Sequence, residues 1–128
     1  MGDIRYFIRD YVNSKRAPDR KSQLFIHEEN SDSAQKHAQY ILDEMLKWGR
    51  HRFWEIQHFN PFCHGEYNSE NIGPSEGTAS LEEHIVGIIS DFDKDHWNNM
   101  MNPAWTHIGA DAAYDNAAGL LILVQRFC

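Results

Sequence analysis

Two cysteines in 128 residues are too few for the dense disulfide framework of a small secreted scaffold. Cys63 and Cys128 form no C-x-x-C pair, which removes the simplest redox and zinc-ribbon signatures. Two readings stay open: two independent thiols, or one bridge closing a long loop, worth about 3–4 kcal/mol in the chain-entropy model. Positive charge is also scarce. Twelve Lys and Arg stand against nineteen Asp and Glu, a formal net charge of −7, which argues against a general nucleic-acid binder with its basic face. Basic residues lead only in the first 21 positions (Arg5, Arg9, Lys15, Arg16, Arg20, Lys21), where the spacing reads as a solvated helix face and loop. The longest apolar run, Ala117–Val124, is broken by Gly119 and falls far short of the ~18 residues of a membrane span. Met1 to Arg5 hold no apolar h-region, so no signal peptide is expected in this chain, an absence that favours a cytoplasmic home.

Several catalytic signatures are missing as well. There is no H-E-x-x-H and no G-x-S-x-G. Gly73-Pro74-Ser75-Glu76-Gly77 carries a proline and no lysine, so it is no phosphate loop. Cys63 beside His64 is no catalytic pair, because sequence neighbours seldom face each other in the required geometry.

The chain does hold an ordinary share of apolar (41%) and charged (24%) residues. Its length suits one domain, residues 1–128, with a core of its own. Helical spacing of Ile4, Phe7, Ile8, Tyr11 and Val12 predicts a helix over 3–16, ended by Ala17-Pro18-Asp19. Residues 22–30 read as a connection that packs Leu24-Phe25-Ile26 without a regular element. Asp32 with Gln35 three residues on has the form of an N-cap and predicts a helix over about 33–48, stopped by Gly49. Residues 52–79 are broken repeatedly by Gly and Pro and read as a long irregular segment, where sites often lie. Ser80-Leu81-Glu82-Glu83 is a capping box. The helix after it should end near Asp93–Asp95, with a short helical turn through His96–Met100. Thr106–Tyr114 and Gly119–Phe127 read as strands joined by a turn at Asp115–Ala118. This order predicts an α+β fold, with helices packed on a mostly antiparallel sheet.

Eight histidines pose the question of which converge. His64, Glu70, Asp93 and His96 all flank the irregular segment or the helix end facing it. Two imidazoles and two carboxylates suit a Zn²⁺-like ion with an open position. The alternative is that His64 and His96 are hydrogen-bonded loop residues. The four tryptophans, Trp48, Trp54, Trp97 and Trp105, read as core, with Trp97 as a candidate groove wall.

Four motifs in order then resemble the CAP superfamily: cysteine-rich secretory proteins, insect venom antigens, plant pathogenesis-related proteins and their prokaryotic relatives. The prokaryotic branch shows F-x-H, G-E-N-I, G-H-R-x-N-I-L-N-P-x-F-T-H-I-G and V-Q-x-F. Here stand Phe62-Cys63-His64, Ser69-Glu70-Asn71-Ile72, the stretch from His96 through Asn102-Pro103 to Thr106-His107-Ile108-Gly109, and Val124-Gln125-Arg126-Phe127. Ser69 replaces the usual Gly before Glu70, and Asp95 the usual Gly before His96. The resemblance implies a three-layer α-β-α sandwich and a cleft with two His and two acids: His64, Glu70, His96 and, about where the second acid falls, Asp93. Asp95 would add a carboxylate beside His96 and favour its protonated form.

Three functions follow as expectations. The first is a non-catalytic binding module whose cleft takes zinc or another divalent cation, or a small ligand, lipid or protein partner. The second is a metal-assisted, peptidase-like hydrolase with Glu70 as general base and His96 as acid or ligand. The third is a structural domain in which the same residues form a hydrogen-bonded network. The family implies a secreted or envelope location.

Overall fold

Ile4, Ile8 and Val12 recur every fourth residue and all are buried, so α1 (Gly2–Arg16) turns one apolar stripe inward. The computed structural model describes residues 2–49 and 69–128. A 3-10 turn at Ala17–Asp19 follows α1, with Pro18 in its first turn. Arg16, read from the sequence as part of a solvated basic face, is instead fully buried. Its guanidinium donates to the carbonyls of Ser22 (3.0 Å), Met100 (2.8 Å) and Asn102 (3.0 Å). Carbonyls at a helix C-terminus have no intrahelical partner and carry partial negative charge, which a buried cation can satisfy. Burial lowers the Arg16 pKa.

The second helix, α2 (Glu28–Trp48), starts earlier than predicted. His27 is its N-cap, with Nδ1 accepting from the Asn30 backbone N–H at 3.1 Å. Glu28 and Glu29 then place negative charge in the first turn, at the positive end of the helix dipole. The helix ends at Gly49, whose φ of 72° is the left-handed cap that glycine adopts freely. The capping box at Ser80 forms as expected and opens α3 (Leu81–Ser90). That helix stops short of the predicted Asp93, because Asp93 caps a new helix, α4 (Lys94–Met100).

Four strands form one sheet: β1 (Phe25–Ile26), β2 (Ser69–Glu76), β3 (His107–Asp115) and β4 (Leu120–Phe127), in the order β1-β3-β4-β2. β1 pairs parallel to β3; the other two pairings are antiparallel. Two corrections follow. Phe25 and Ile26 do form a regular, if minimal, strand. Ser69–Glu76, taken as part of an irregular segment, is an eight-residue strand. Its polar, Gly- and Pro-containing sequence has little strand preference of its own. Pairing along the whole of β4 from Ser69↔Phe127 to Glu76↔Leu120 imposes the conformation, and its position at the sheet edge admits Pro74.

Strand alternation then divides the core. On one face Ile108, Ala110, Leu121, Leu123 and Phe127 pack against Ile4, Ile8 and Val12 of α1 and Ile85, Ile88 and Ile89 of α3. On the other, Ala113, Ile122 and Val124 pack against Ala34, Ala38, Ile41 and Leu42 of α2. The result is the α-β-α layering with a mostly antiparallel centre. α2 approaches the sheet closely at Gly109, where a Cβ would lie 2.6 to 2.7 Å from Cβ, Cγ and the carbonyl carbon of Asn30. Arg5 ties the layers at one margin: Nε donates to Asp111 at 2.7 Å, and Nη1 pairs with Asp32 at 2.8 Å and Glu28 at 3.3 Å.

Candidate functional site

β2 positions the site because successive residues of a strand point to opposite faces. Asn71 pairs in register with Gln125, on the face covered by α1 and α3, while Glu70 pairs with Arg126, on the α2 face. Asn71 is buried. Its Nδ2 donates to the His96 carbonyl at 2.9 Å, and its Oδ1 accepts from Asn99 Nδ2 at 3.0 Å. This amide locks α4 to the strand. Trp105 adds a bond from Nε1 to the Asn99 carbonyl at 2.7 Å, so α4 is held from both sides.

On α4 the His96 imidazole faces Asp93. One Asp93 oxygen, Oδ1, accepts from the His96 backbone N–H at 2.9 Å and lies 2.8 Å from His96 Nδ1. These bonds, the backbone one first, hold the Asp93 carboxyl below the usual carboxylate range. An ionised carboxylate only accepts, so Nδ1 carries the proton and a neutral ring keeps Nε2 as its acceptor. The pair is open to solvent: the side chains are 40% and 67% exposed.

Two open cavities meet at His96. One, of about 300 Å³, runs between β2 and the end of α3 and is lined by Ile72, Ser75, Ile88, Asp91, Phe92 and Asp93 as well as His96. The other, of about 350 Å³, is lined by Ser69, Glu70, Asn71, Asp95, His96 and Asn99. The first has an apolar floor and a carboxylate rim; the second is polar. Phe92 packs its ring against His96 at 5.4 Å between centroids.

The predicted site residues therefore separate. Asp93 and His96 are in direct contact. Asp95 lines the polar cavity, but Asp93 is the acid bonded to the imidazole. Glu70 borders that same cavity, yet its carboxylate belongs to a buried cluster under α2. Arg126 Nε donates to Glu70 Oε2 at 2.6 Å, and His37 Nδ1 lies 3.1 Å from the same oxygen. Arg126 also donates to Ser33 Oγ. The side chains of Glu70, His37 and Arg126 are 6%, 0% and 0% exposed. His64, Cys63 and Trp54 lie outside the described residues. Cys128 takes part in a disulfide. Trp97, the candidate groove wall, packs against the α1–α3 core, while Trp48 is 61% exposed. Among the described residues no group of three or more His, Cys, Asp or Glu is arranged to hold a metal ion.

Residues that the sequence reading passed over complete the site. Asn71 and Asn99 hold α4. Ser75 Oγ lies 2.7 Å from Nδ1 of His84, which is buried at 2% exposure. Helical periodicity hides His84 among apolar neighbours, and Ser75 becomes visible only once β2 is read as a strand.

The fold agrees with that of a known group. The pattern of the CAP family, the cysteine-rich secretory protein family, matches residues 9–127, and the chain belongs to that family. Among solved structures the chain is similar to an extracellular protein containing an SCP domain from Bacillus anthracis, with a TM-score of 0.64 and 19% identity. That match covers 94% of this chain and 38% of the Bacillus protein, so the chain spans well under half of that protein's length. It is also similar to an outer surface protein from Borrelia burgdorferi, with a TM-score of 0.59 and 14% identity over 95% of this chain and 89% of that one. No curated protein matches in sequence. At these identities the likeness is one of fold. No helix among the described residues is long and apolar enough to cross a membrane.

Proposed function

We propose that this CAP domain is a binding module whose cleft centres on His96. The observation that carries the reading is the solvent-open Asp93–His96 pair at the junction of two cavities. A carboxylate on Nδ1 fixes the imidazole's orientation and leaves Nε2 able to meet a ligand, the arrangement that metal-binding histidines commonly use. This donor chemistry fits zinc or another divalent cation. His96 would supply one nitrogen, His64 a second, and Asp93 would orient His96. Glu70 would join only by leaving Arg126, so its part is to fasten β2 to α2. An ion held this way would polarise or anchor a ligand group placed in the cleft.

The hydrolase alternative needs Glu70 as a free general base. That carboxylate instead holds the buried Arg126 guanidinium at 2.6 Å, with His37 beside the same oxygen, and is almost wholly buried under α2. The binding reading is therefore preferred. The structural alternative retains a share, since the Glu70 cluster is such a network, directed at α2 rather than at the end of α3. The Cys128 disulfide supports an extracellular or envelope location, because disulfides persist in oxidising compartments. The two structural neighbours, named as extracellular and outer-surface proteins, support the same proposal.

Zinc titration by calorimetry at pH 7.5 and pH 5.5 tests the metal. Binding should be measurable at the higher pH and weaken at the lower, as protons compete for the imidazole nitrogens. His64→Ala/His96→Ala should abolish it. An absence of zinc affinity at pH 7.5 would remove the metal from the proposal.

A further inference from the structure

The cavity beside α3 has a one-sided hydrogen-bonding character. Its floor is Ile88 and Phe92 beside Gly73, and its polar side chains are Ser75, Asp91, Asp93 and His96. Among the described residues, no Lys or Arg lines it. Asp91 and Asp93 are both exposed at the rim, and carboxylates only accept hydrogen bonds. With its Nδ1 proton directed at Asp93, His96 offers an acceptor at Nε2. Ser75 can donate its hydroxyl proton to His84 Nδ1 at 2.7 Å, which leaves lone pairs of Oγ for the cavity. His84 Nε2 is buried without a hydrogen-bond partner.

Acceptors above an apolar floor call for a ligand that brings donors, a positive charge and an apolar body. We propose that this cavity binds a small organic cation, a protonated amine on a short hydrocarbon body, with the ammonium among Asp91, Asp93 and Ser75 and the hydrocarbon over Ile88 and Phe92. A volume of about 300 Å³ lies at the small end of ligand pockets, roughly 300–1,000 Å³, which limits the body to a short chain or a single ring. The formal charge of −7 favours the approach of a cation and opposes that of an anionic lipid. This inference rests on the binding-module reading and specifies its ligand.

The test uses the whole chain and three probes with the same hydrocarbon body: hexylammonium, hexanoate and 1-hexanol, titrated at pH 7.5 and followed by NMR shifts of Ile88 and Phe92. Hexylammonium should bind, hexanoate should not, and hexanol should be weaker than the amine. Asp91→Asn and Asp93→Asn should each weaken the amine about twofold to fivefold, the range for an exposed charge pair, and added salt should do the same. Asn is an N-cap as good as Asp, so Asp93→Asn keeps α4. Equal or tighter binding of hexanoate, parity of hexanol with hexylammonium, or unchanged affinity in both Asn variants would overturn the proposal. Zinc titration of the same sample separates the failures. Zinc binding without amine binding overturns this inference alone, and binding of neither overturns the cleft reading with it.

Discussion

Among the described residues stand two histidine–carboxylate pairs, built from the same chemistry in different surroundings. His37 and Glu70 meet at 3.1 Å with side chains 0% and 6% exposed; His96 and Asp93 meet at 2.8 Å with side chains 40% and 67% exposed. The distances barely differ. The surroundings decide. Beneath α2 the carboxylate carries a third partner, Arg126, and no group can leave without stranding a charge in a dry interior. On α4 water can replace either partner, so the pair is free to exchange one contact for a ligand. A His–carboxylate contact is thus a fastener when buried and, in the function proposed above, a binding group when exposed.

Breaking one member of each pair should give the largest contrast. Arg126→Met leaves the buried Glu70 carboxylate with His37 but without its guanidinium and should cost about 3–5 kcal/mol in urea unfolding. His96→Ala should stay within about 1 kcal/mol of wild type while losing zinc. If the two variants were equally destabilised, the contrast between the pairs would collapse. The double change Glu70→Leu/Arg126→Met should recover much of the loss, since a buried ion pair and an apolar replacement of similar volume are often near neutral.

Smaller effects sharpen the division by face. Gly109 pairs in register with Arg126, and Gly109→Ala drives a methyl into Asn30 of α2. The overlap should cost about 1–3 kcal/mol and leave zinc affinity unchanged, because the clash lies across the sheet from His96. Ser80→Ala removes the cap of α3 and should cost about 1 kcal/mol, with chemical-shift changes confined to the cavity side.

The smallest effect is a pH dependence. Asp93 has its pKa depressed by the His96 backbone and side-chain bonds. Its contribution is present in full above the unfolded aspartate value of about 3.9 and is lost as pH falls through the lower folded value. Wild type minus Asp93→Asn stability, measured by urea unfolding between pH 5 and pH 2, should therefore shrink on acidification. A difference that grows toward acid would give Asp93 the opposite sign.

What the chain reveals of this contrast before folding is uneven. The stripe Ile4, Ile8, Val12 and the box Ser80–Glu83 announce α1 and α3, because helix periodicity and capping are local. The start of α2 is hidden by His27, an uncommon cap, and by the buried Asn30 and Ser31, polar residues that look like loop. Glu28 and Glu29 were the available signal. β2 is hidden more deeply: apart from Ile72, little in Ser69–Glu76 prefers a strand, and β4 supplies its shape. Without that strand, Glu70 and Asn71 look like neighbours facing one cleft. With it they diverge, and the partners of Glu70, at His37 and Arg126, come from distant parts of the chain that its local sequence does not point to. His96 and Asp93, three residues apart at a helix start, needed only a local reading.

Chain order gives the fold a consequence in time. β4 lies inside the sheet, between β2 and β3, yet it follows every other described element in chain order. Arg16 waits for a carbonyl 84 residues downstream and Arg5 for a carboxylate 106 residues downstream. Loops of that length must close before the contacts reward them, which slows folding. On the ribosome α1 therefore emerges long before its partners, and its apolar stripe stays uncovered until the two closing strands are complete. A nascent chain halted before residue 120 should remain sensitive to protease along α1, and release of the full chain should protect it.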